Sequence, residues 1–263
     1  MSRRSVAAVR ENIESSLAAR IPAALSPRLH QATELLPTGI AEVDALLEGG
    51  LPLGGLVEIT GPTCSGRSTL VSSILAGATR HGAACAYVDV ADTFDPLSAA
   101  AIGINLGRLL WVRAGRTEIS DKQVWASLDR ALRATDLLLN AGGFRVIVLD
   151  MGDVRAEQVR RVPLASWYRY RLQAEKSQAL FLLLVQTPCA SSCASVVLHC
   201  TEAHERWEYA TENQNGLPLL TGLQYGVSAD RKRASAREFA NPFGKKPVSA
   251  AQTAWKRTTL WAR

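Results

Sequence analysis

The sequence predicts an α/β fold in which a mostly parallel central sheet is flanked by helices. Two apolar runs, RVIVLD at 145–150 and ALFLLLVQT at 179–187, lack the alternation of a half-exposed strand, so both are expected to be buried on two faces. Segments with helical periodicity separate the apolar runs, which indicates parallel strands joined by crossover helices. A strand, a glycine loop and a helix between residues 56 and 81 are the third indication. A chain of 263 residues is long enough for one such domain with short additions.

The first addition is an N-terminal helical arm with its connector, residues 1–35. Apolar residues recur there at steps of three and four, which predicts one amphipathic helix that docks on a partner or folds back on its own core. Pro22 and Pro27 end this helix. The residues of its apolar stripe are Val6, Val9, Ile13, Leu17 and Ile21.

The core is predicted over residues 36–227. Its strands are expected at 56–60, 84–90, 109–114, 145–150 and 179–187, with later strands within 194–203 and 220–231. Its longer helices are expected at 67–81, 123–140 and 167–176.

The second addition is a basic C-terminal tail, residues 228–263. It contains nine Lys or Arg and two Asp or Glu, a net charge of +7, whereas the rest of the chain has 21 and 22, a net charge of −1. Such a local excess of cations favours DNA or an acidic protein as a ligand, and a solvated tail is the alternative. Trp255 and Trp261 would anchor an interface or stack on bases. The basic residues are Arg231, Lys232, Arg233, Arg237, Lys245, Lys246, Lys256 and Arg257.

Composition excludes several other classes of protein. No apolar run approaches the ~20 residues of a membrane-spanning helix, and the N-terminus lacks the apolar centre of an export signal. We therefore expect no membrane contact and a cytoplasmic location. The five cysteines, an odd number, are expected to be free thiols. The Cys and His residues between 189 and 204 lack the close C-x-x-C pair of structural zinc sites, so no metal site is predicted among them.

Residues 61–69, GPTCSGRST, match the phosphate-binding pattern G-x-x-x-x-G-K-[ST] at every position except one. The backbone N–H groups of such a loop and the N-terminus of the following helix hold phosphate oxygens. Gly61 and Gly66 permit the tight path of the loop. Ser68 is placed to reach a magnesium ion, and Asp150 would hold the water shell of that ion. ATP or ADP with magnesium, held by these residues and Thr69, is therefore predicted as an optional ligand that the protein does not require.

Arg67 replaces the lysine of the pattern. Lysine provides a compact charge between two phosphates, whereas arginine is longer, planar and forked, so the exchange is not conservative at a tight site. Arg67 still attracts a phosphate, but it is not expected to hold the terminal phosphate in line with an attacking group.

The segment LPTGIAEVDALLEGGLPLGGLVEITGPTCSGRSTL, residues 36–70, resembles the ATP-binding core of the RecA family of bacterial recombinases. CAYVDVADTFDPLSAAAIGI, VIVLD and LLVQT resemble the same family in the same order. The resemblance extends from about residue 36 to residue 186, and more weakly to residue 243. It implies a RecA-like fold, a nucleotide contact at Asp95 and a switch-like role for Gln186.

Four departures from the family pattern imply that this chain does not hydrolyse ATP. Arg67 is the first. The family's catalytic glutamate lies two residues after the aspartate of the second strand, here Asp89, and Ala91 occupies that place with Asp92 one step beyond. Ser98 occupies the position at which the family has a tyrosine that stacks on adenine. The two DNA-binding loops of the family, which follow positions 150 and 186, are expected to be much shorter here.

A RecA-like chain of this size with altered motifs and no separate C-terminal domain resembles the ImuA family. That resemblance implies a non-catalytic adaptor in the SOS response, acting in damage-induced mutagenesis and translesion DNA synthesis. It implies as partners an inactive polymerase-like protein, ImuB, and RecA, with an error-prone C-family polymerase reached indirectly. DNA is a further expected ligand of the basic tail.

Two other functions compete with the adaptor. The first is a DNA-dependent ATPase or recombinase of the RecA family, in which Arg67 replaces the lysine and Asp92 or Glu118 supplies the base. The second is a cell-division inhibitor of the SulA type, although proteins of that type lack so complete a glycine loop.

Overall fold

The computed structural model of the chain describes residues 34–115, 121–209, 218–232 and 251–258. The chain divides into two compact units, Met1–Thr33 and Glu34–Arg263, and the described residues belong to the second. The predicted arm, with Val6, Val9, Ile13, Leu17 and Ile21, therefore lies outside the described residues. Among the helices that are described, none is long and apolar enough to cross a membrane.

Eleven strands occur in the described part of the chain: β1 (Leu35–Leu36), β2 (Leu51–Pro52), β3 (Leu56–Thr60), β4 (Cys85–Asp89), β5 (Leu109–Arg113), β6 (Val146–Asp150), β7 (Leu180–Val185), β8 (Val196–Cys200), β9 (His204–Tyr209), β10 (Pro218–Lys232) and β11 (Ala251–Thr258). The helices described are α1 (Ala41–Leu46), α2 (Arg67–Arg80), α3 (Pro96–Ile102), α4 (Asp121–Ala141), α5 (Ala156–Val159) and α6 (Leu164–Ser177).

The central sheet has the strand order β11-β10-β8-β3-β7-β6-β4-β5, and β9 pairs with β10. The six strands from β8 to β5 pair in parallel. Each connection between them therefore crosses from one end of the sheet to the other through a helix or a loop. β10 pairs antiparallel with β8, β9 and β11. The parallel strands place their carboxyl ends, and the loops that follow them, at one edge of the sheet.

Apolar layers cover both faces of this sheet. On one face α2 packs through Leu70, Ile74 and Leu75 against alternate strand residues. On the other face Trp167 and Tyr170 of α6, with α4 beside it, cover the remaining alternate residues. Every residue of β3 and β7 is buried, as the uniform hydrophobicity of β7 predicts, and in β3 the buried set includes the polar residues Glu58 and Thr60. The predicted α/β fold with a mostly parallel sheet is confirmed.

The C-terminal part of the chain differs from a separate tail. The predicted boundary at residue 228 falls inside β10, and residues 251–258 form β11, which pairs with β10 from Gly222 to Ala229. Four of the predicted basic residues therefore belong to sheet strands: Arg231 and Lys232 end β10, and Lys256 and Arg257 lie in β11. The other four, Arg233, Arg237, Lys245 and Lys246, fall outside the described residues.

Candidate functional site

The glycine loop connects β3 to α2, as the sequence predicts. Gly61 has a φ of 148°, and a Cβ at this position would lie 2.4 Å from the carbonyl oxygen of Cys200. Gly66 has a φ of 85°, and a Cβ there would lie 2.5 Å from the ring of Tyr225 in β10. Both positions therefore require glycine because of the backbone angle and because of the close neighbour. The backbone path that holds phosphate is retained and is fixed by packing against β8 and β10.

The residues after the loop begin α2 in the predicted order. The Ser68 side chain is exposed and Thr69 is half-buried, so both lie at the open side of the helix N-terminus. Ser65, by contrast, is buried, and its hydroxyl has no hydrogen-bond partner. The loop thus presents its backbone and Ser68 to solvent, which is the part of the site that can still receive an anion.

Arg67 is buried, with 8% of its surface exposed. Its Nη1 donates a hydrogen bond of 2.9 Å to the carbonyl oxygen of Val185, at the carboxyl end of β7. A Cβ built on Gly152 would lie 3.1 Å from both this Nη1 atom and Oδ1 of Asp150. The guanidinium therefore lies among the strand ends, where it ties α2 to β7, and it makes a contact that a phosphate-binding lysine would not make.

Asp150 ends β6 and lies directly opposite Asp89 of β4 in the parallel register. Oδ2 of Asp150 accepts a hydrogen bond of 2.5 Å from the Tyr87 hydroxyl, and Oδ1 accepts one of 2.8 Å from the Gly152 amide. Desolvation raises the pKa of Asp150 and outweighs these two hydrogen bonds, which lower it. Burial and these two hydrogen bonds thus hold the Asp150 side chain at the carboxyl end of the sheet.

We call Tyr87, Asp89, Asp92 and Asp150 the carboxylate corner. Asp89 is fully buried and accepts hydrogen bonds from the amides of Thr93 and Phe94 and from the Trp111 indole. Its carboxylate therefore organises the loop after β4.

Ala91 leaves the corner without the glutamate that would orient a water molecule. Asp92, which the competing ATPase function needs as a base, has a φ of 60° and binds Arg113 through two hydrogen bonds of 2.7 and 2.6 Å. This bidentate pair directs the Asp92 carboxylate toward β5. Glu118, the other candidate base, lies outside the described residues.

Aromatic rings fill the rest of the corner. The Phe94 ring lies 4.7 Å from the Tyr87 ring and 5.4 Å from the Trp111 ring, measured between centroids, and the Arg113 guanidinium covers Trp111 at 4.9 Å. These contacts stabilise a packed arrangement at the end of β4.

Asp95 is the N-cap of α3. Its carboxylate accepts hydrogen bonds from the amides of Leu97 and Ser98, both 3.1 Å, and from the Ser98 hydroxyl. These hydrogen bonds, led by the one from the Ser98 hydroxyl, lower the pKa of Asp95. The residue that replaces the adenine-stacking tyrosine thus completes a helix cap.

Gln186 follows β7 and donates a hydrogen bond of 3.1 Å to the carbonyl oxygen of Gly152, in the loop after β6. The segment after Gln186 is short, and fully buried Glu58 fixes it: Oε1 accepts hydrogen bonds of 2.8 Å from the amides of Cys189 and Ala190. Oε2 of Glu58 is buried without a partner. The segment that resembles a mobile DNA-binding loop is therefore anchored to the central strand β3.

Thiols and metal ligands do not form a second site in the parts of the chain described. No group of three or more His, Cys, Asp and Glu is placed to hold a metal ion among these residues. All five cysteines are free. Burial raises the pKa of the Cys200 thiol to about 12 and that of Cys85 to about 11, so both remain protonated at neutral pH.

Three residues that make contacts in the site, Tyr87, Tyr225 and Glu58, were not predicted from the sequence to do so. The sequence places all three in strands, and Glu58 is the one charged residue of its strand. A polar group inside a buried strand is a usable signal, because burial requires it to find a partner.

Comparisons with known proteins agree with the fold. The family model described as the RecA N-terminal domain matches residues 5–158. The protein named "Protein RecA" from Ectopseudomonas oleovorans is 38% identical over 118 residues, which are 44% of this chain and 31% of that protein. "Protein RecA" from Rickettsia massiliae (strain Mtu5) is 33% identical over 148 residues, 56% of this chain and 40% of that protein. This chain thus spans two fifths or less of the length of these relatives. Since the family model covers more than half of the chain, this protein belongs to the RecA N-terminal domain family and has a RecA-like core.

Proposed function

We propose that this protein is a non-catalytic RecA-like adaptor in damage-induced (SOS) mutagenesis and translesion DNA synthesis, similar to ImuA. Its direct partners are an ImuB-like polymerase homologue and RecA, and an error-prone C-family polymerase is reached through the ImuB-like protein. The observation that carries the proposal concerns Arg67 and the carboxylate corner. Each charged group there makes a hydrogen bond or an ion pair with another group of the protein.

ATP hydrolysis by this fold requires a cation on the terminal phosphate, a metal-holding carboxylate and a base that orients water. Arg67 instead donates to Val185, the Asp150 carboxyl group is shifted toward its neutral form, and residue 91 is alanine. Asp92 is paired with Arg113. Loss of the base alone removes a large part of the rate, and the other changes add to that loss.

The glycine loop supports a structural role for any bound nucleotide. Its backbone path is intact, and Ser68 is exposed at the start of α2. ATP or ADP would be held there by backbone N–H groups, without a magnesium site of the usual kind. We propose that nucleotide, where it binds, is not required for partner binding.

The adaptor proposal is tested by measuring ATP turnover and partner binding on the same preparation. With single-stranded DNA present, we expect turnover at the background rate, with RecA as the active control, and calorimetric binding to the ImuB-like protein. Turnover well above background that disappears in the Gly66→Ala variant would contradict the non-catalytic assignment. Absence of binding to both the ImuB-like protein and RecA would contradict the adaptor role.

A DNA-dependent ATPase or recombinase is the second candidate. The intact loop and the similarity to proteins named RecA favour it. The discriminating variant is Ala91→Glu with Arg67→Lys, which supplies the two missing groups. If the original chain is already an ATPase, it hydrolyses ATP and the variant changes that rate modestly. The adaptor proposal predicts no turnover in the original chain.

A further inference from the structure

Helix α6 carries three large apolar side chains that face solvent. Leu164, Tyr168 and Leu172 are 51%, 53% and 46% exposed. They are spaced by four residues, so they form one straight stripe along about two turns of the helix. We call these three residues the α6 stripe.

Contacts of the neighbouring residues define where the α6 stripe lies. Arg169 pairs with Asp136 of α4 at 3.0 Å, and Gln173 donates to Asp136 and Asn140. Tyr168 and Leu172 each precede such an α4-facing position by one residue, or about 100° around the helix. The buried side of α6, with Trp167, faces the sheet. The stripe is therefore a separate face, adjoining neither the sheet nor α4.

The charges around the stripe are mostly positive. Residues 160–176 contain five Lys or Arg and one acid, the exposed Glu175, which lies three residues after Leu172. Exposed Arg160 and Arg161 precede the stripe, and exposed Lys176 follows it in the last turn of α6. A cation thus lies at each end of an apolar strip, which is the pattern that an acidic amphipathic helix complements.

We propose that the α6 stripe docks an amphipathic helix with flanking Asp or Glu residues, contributed by the polymerase-like partner; this inference rests on the proposed adaptor function. Three apolar residues in a straight row match the i, i+4 ridge of a second helix. Pairing with a second copy of α6 would bring the cations of the two helices together and is disfavoured. Single-stranded DNA would stack on Tyr168, but Leu164 and Leu172 offer it neither a ring nor a charge.

The test measures calorimetric affinity for the full-length ImuB-like protein. Leu172→Lys, and separately Tyr168→Ser, should weaken binding by about tenfold or more, as expected for central apolar contacts. Leu137→Lys is the matched control, because Leu137 is 71% exposed on the neighbouring helix α4 and lies outside the stripe. Unchanged urea midpoints establish that the variants fold. Arg161→Glu combined with Lys176→Glu should slow association, with a smaller difference at high salt.

The binding measurements distinguish failure of this inference from failure of the proposed function. If the original chain and Leu172→Lys bind equally well, the stripe is not the docking site, and the adaptor function stands. If the original chain does not bind the ImuB-like protein, this inference fails, and the adaptor function fails as well if binding to RecA is also absent.

The other two occupants are checked directly. Loss of self-association in Leu172→Lys, measured by sedimentation equilibrium, would identify a second copy of the chain on the stripe. Loss of binding to a labelled single-stranded oligonucleotide in Tyr168→Ser, with partner binding unchanged, would identify DNA. Both outcomes overturn the proposal.

Discussion

The glycine loop and the carboxylate corner lie at the same edge of one sheet but have kept different parts of a nucleotide site. In the loop the backbone has the required shape, and Gly61 and Gly66 are confined by Cys200 and Tyr225. In the corner the strands end at the expected places, but Asp92 and Asp150 bind other groups of the protein. The shape of the loop is therefore held by close backbone and ring neighbours, whereas the carboxylates of the corner are held by individual hydrogen bonds and an ion pair.

This contrast predicts that changes in the loop act mainly on stability through the backbone. Changes in the corner should act through individual hydrogen bonds and should be smaller. Neither set of changes is expected to produce ATP turnover, because no described residue of the corner supplies a free base.

The largest effect is expected from Gly61→Ala. The new Cβ would lie 2.4 Å from the Cys200 carbonyl oxygen and 2.7 Å from the Ser65 hydroxyl, at a φ of 148°. A backbone neighbour cannot rotate away, so β3 and β8 must separate. We expect a loss of about 3 kcal/mol or more in the free energy of unfolding, measured by urea denaturation.

Gly77→Ala is the matched control for this change. Gly77 lies within α2, and a Cβ there meets nothing within 4 Å. Alanine should stabilise the helix by up to about 1 kcal/mol. A Gly61→Ala protein as stable as the original would show that the loop is not fixed by its packing against β8.

The next effect is expected from Arg67→Ala. The substitution removes a buried charged donor and leaves the Val185 carbonyl oxygen without this hydrogen bond. We expect a loss of about 2 kcal/mol in the free energy of unfolding. Arg80→Ala on the same helix is the control, since Arg80 also donates to a backbone carbonyl oxygen, that of Ala76, but is exposed, and it should cost less.

Equal losses for these two arginine variants would show that the buried Arg67 contact contributes no more to stability than the exposed Arg80 contact. ATP turnover measured on Arg67→Lys adds an independent check. It should remain at background because residue 91 is alanine. Turnover restored by lysine alone would mean that the carboxylate corner is competent, and the contrast between the loop and the corner would be wrong.

The parallel core could be predicted from the sequence because its signals are local. Continuous apolar runs mark β6 and β7, and the glycine loop marks the end of β3 and the start of α2. β11 was missed because its eight residues, AQTAWKRT, contain no apolar run and lie in a segment whose dominant property is charge. Its pairing with β10 satisfies backbone groups, which composition does not reveal.

The contacts of the corner could not be predicted because they depend on register between distant strands. Tyr87 and Asp150 are 63 residues apart, and Glu58 is more than 130 residues from the amides that it binds. The sequence indicates that a buried carboxylate needs donors, but the donors are identified only when the strand order is known. Ala91 could be assigned from the resemblance to the RecA family, which places a glutamate two residues after Asp89, since an absent carboxylate needs no partner.

The third largest loss in the free energy of unfolding is expected from Tyr87→Phe, and its size should depend on pH. Desolvation raises the pKa of Asp150, so the folded protein retains this proton to higher pH than the unfolded chain. Stability therefore falls as pH rises from the unfolded pKa toward the folded pKa. The Tyr87 hydrogen bond lowers the folded pKa, so removing it extends the fall to higher pH.

We expect Tyr87→Phe to cost about 1–2 kcal/mol at neutral pH and less near pH 3, where Asp150 is largely protonated in both states. Urea denaturation at the two pH values measures the difference. Tyr170→Phe is the control, because the Tyr170 hydroxyl donates to the Leu132 carbonyl oxygen, which does not titrate. A cost for Tyr87→Phe that is the same at both pH values would show that the hydrogen bond does not influence the Asp150 charge.

The smallest effect is expected from Arg113→Ala, which releases Asp92 from its ion pair. Arg113 is 57% exposed, so solvent screens the pair and its contribution to stability is slight, and the loss should shrink further at about 1 M salt. The substitution nevertheless tests the corner most directly, since it removes the ion pair from Asp92, the carboxylate that directly follows Ala91. Turnover should stay at background, because Asp92 lies one residue beyond Ala91 on a backbone at φ 60° that directs it toward β5. ATP hydrolysis gained by this variant would show that the ion pair, rather than the absence of a base, keeps the site inactive.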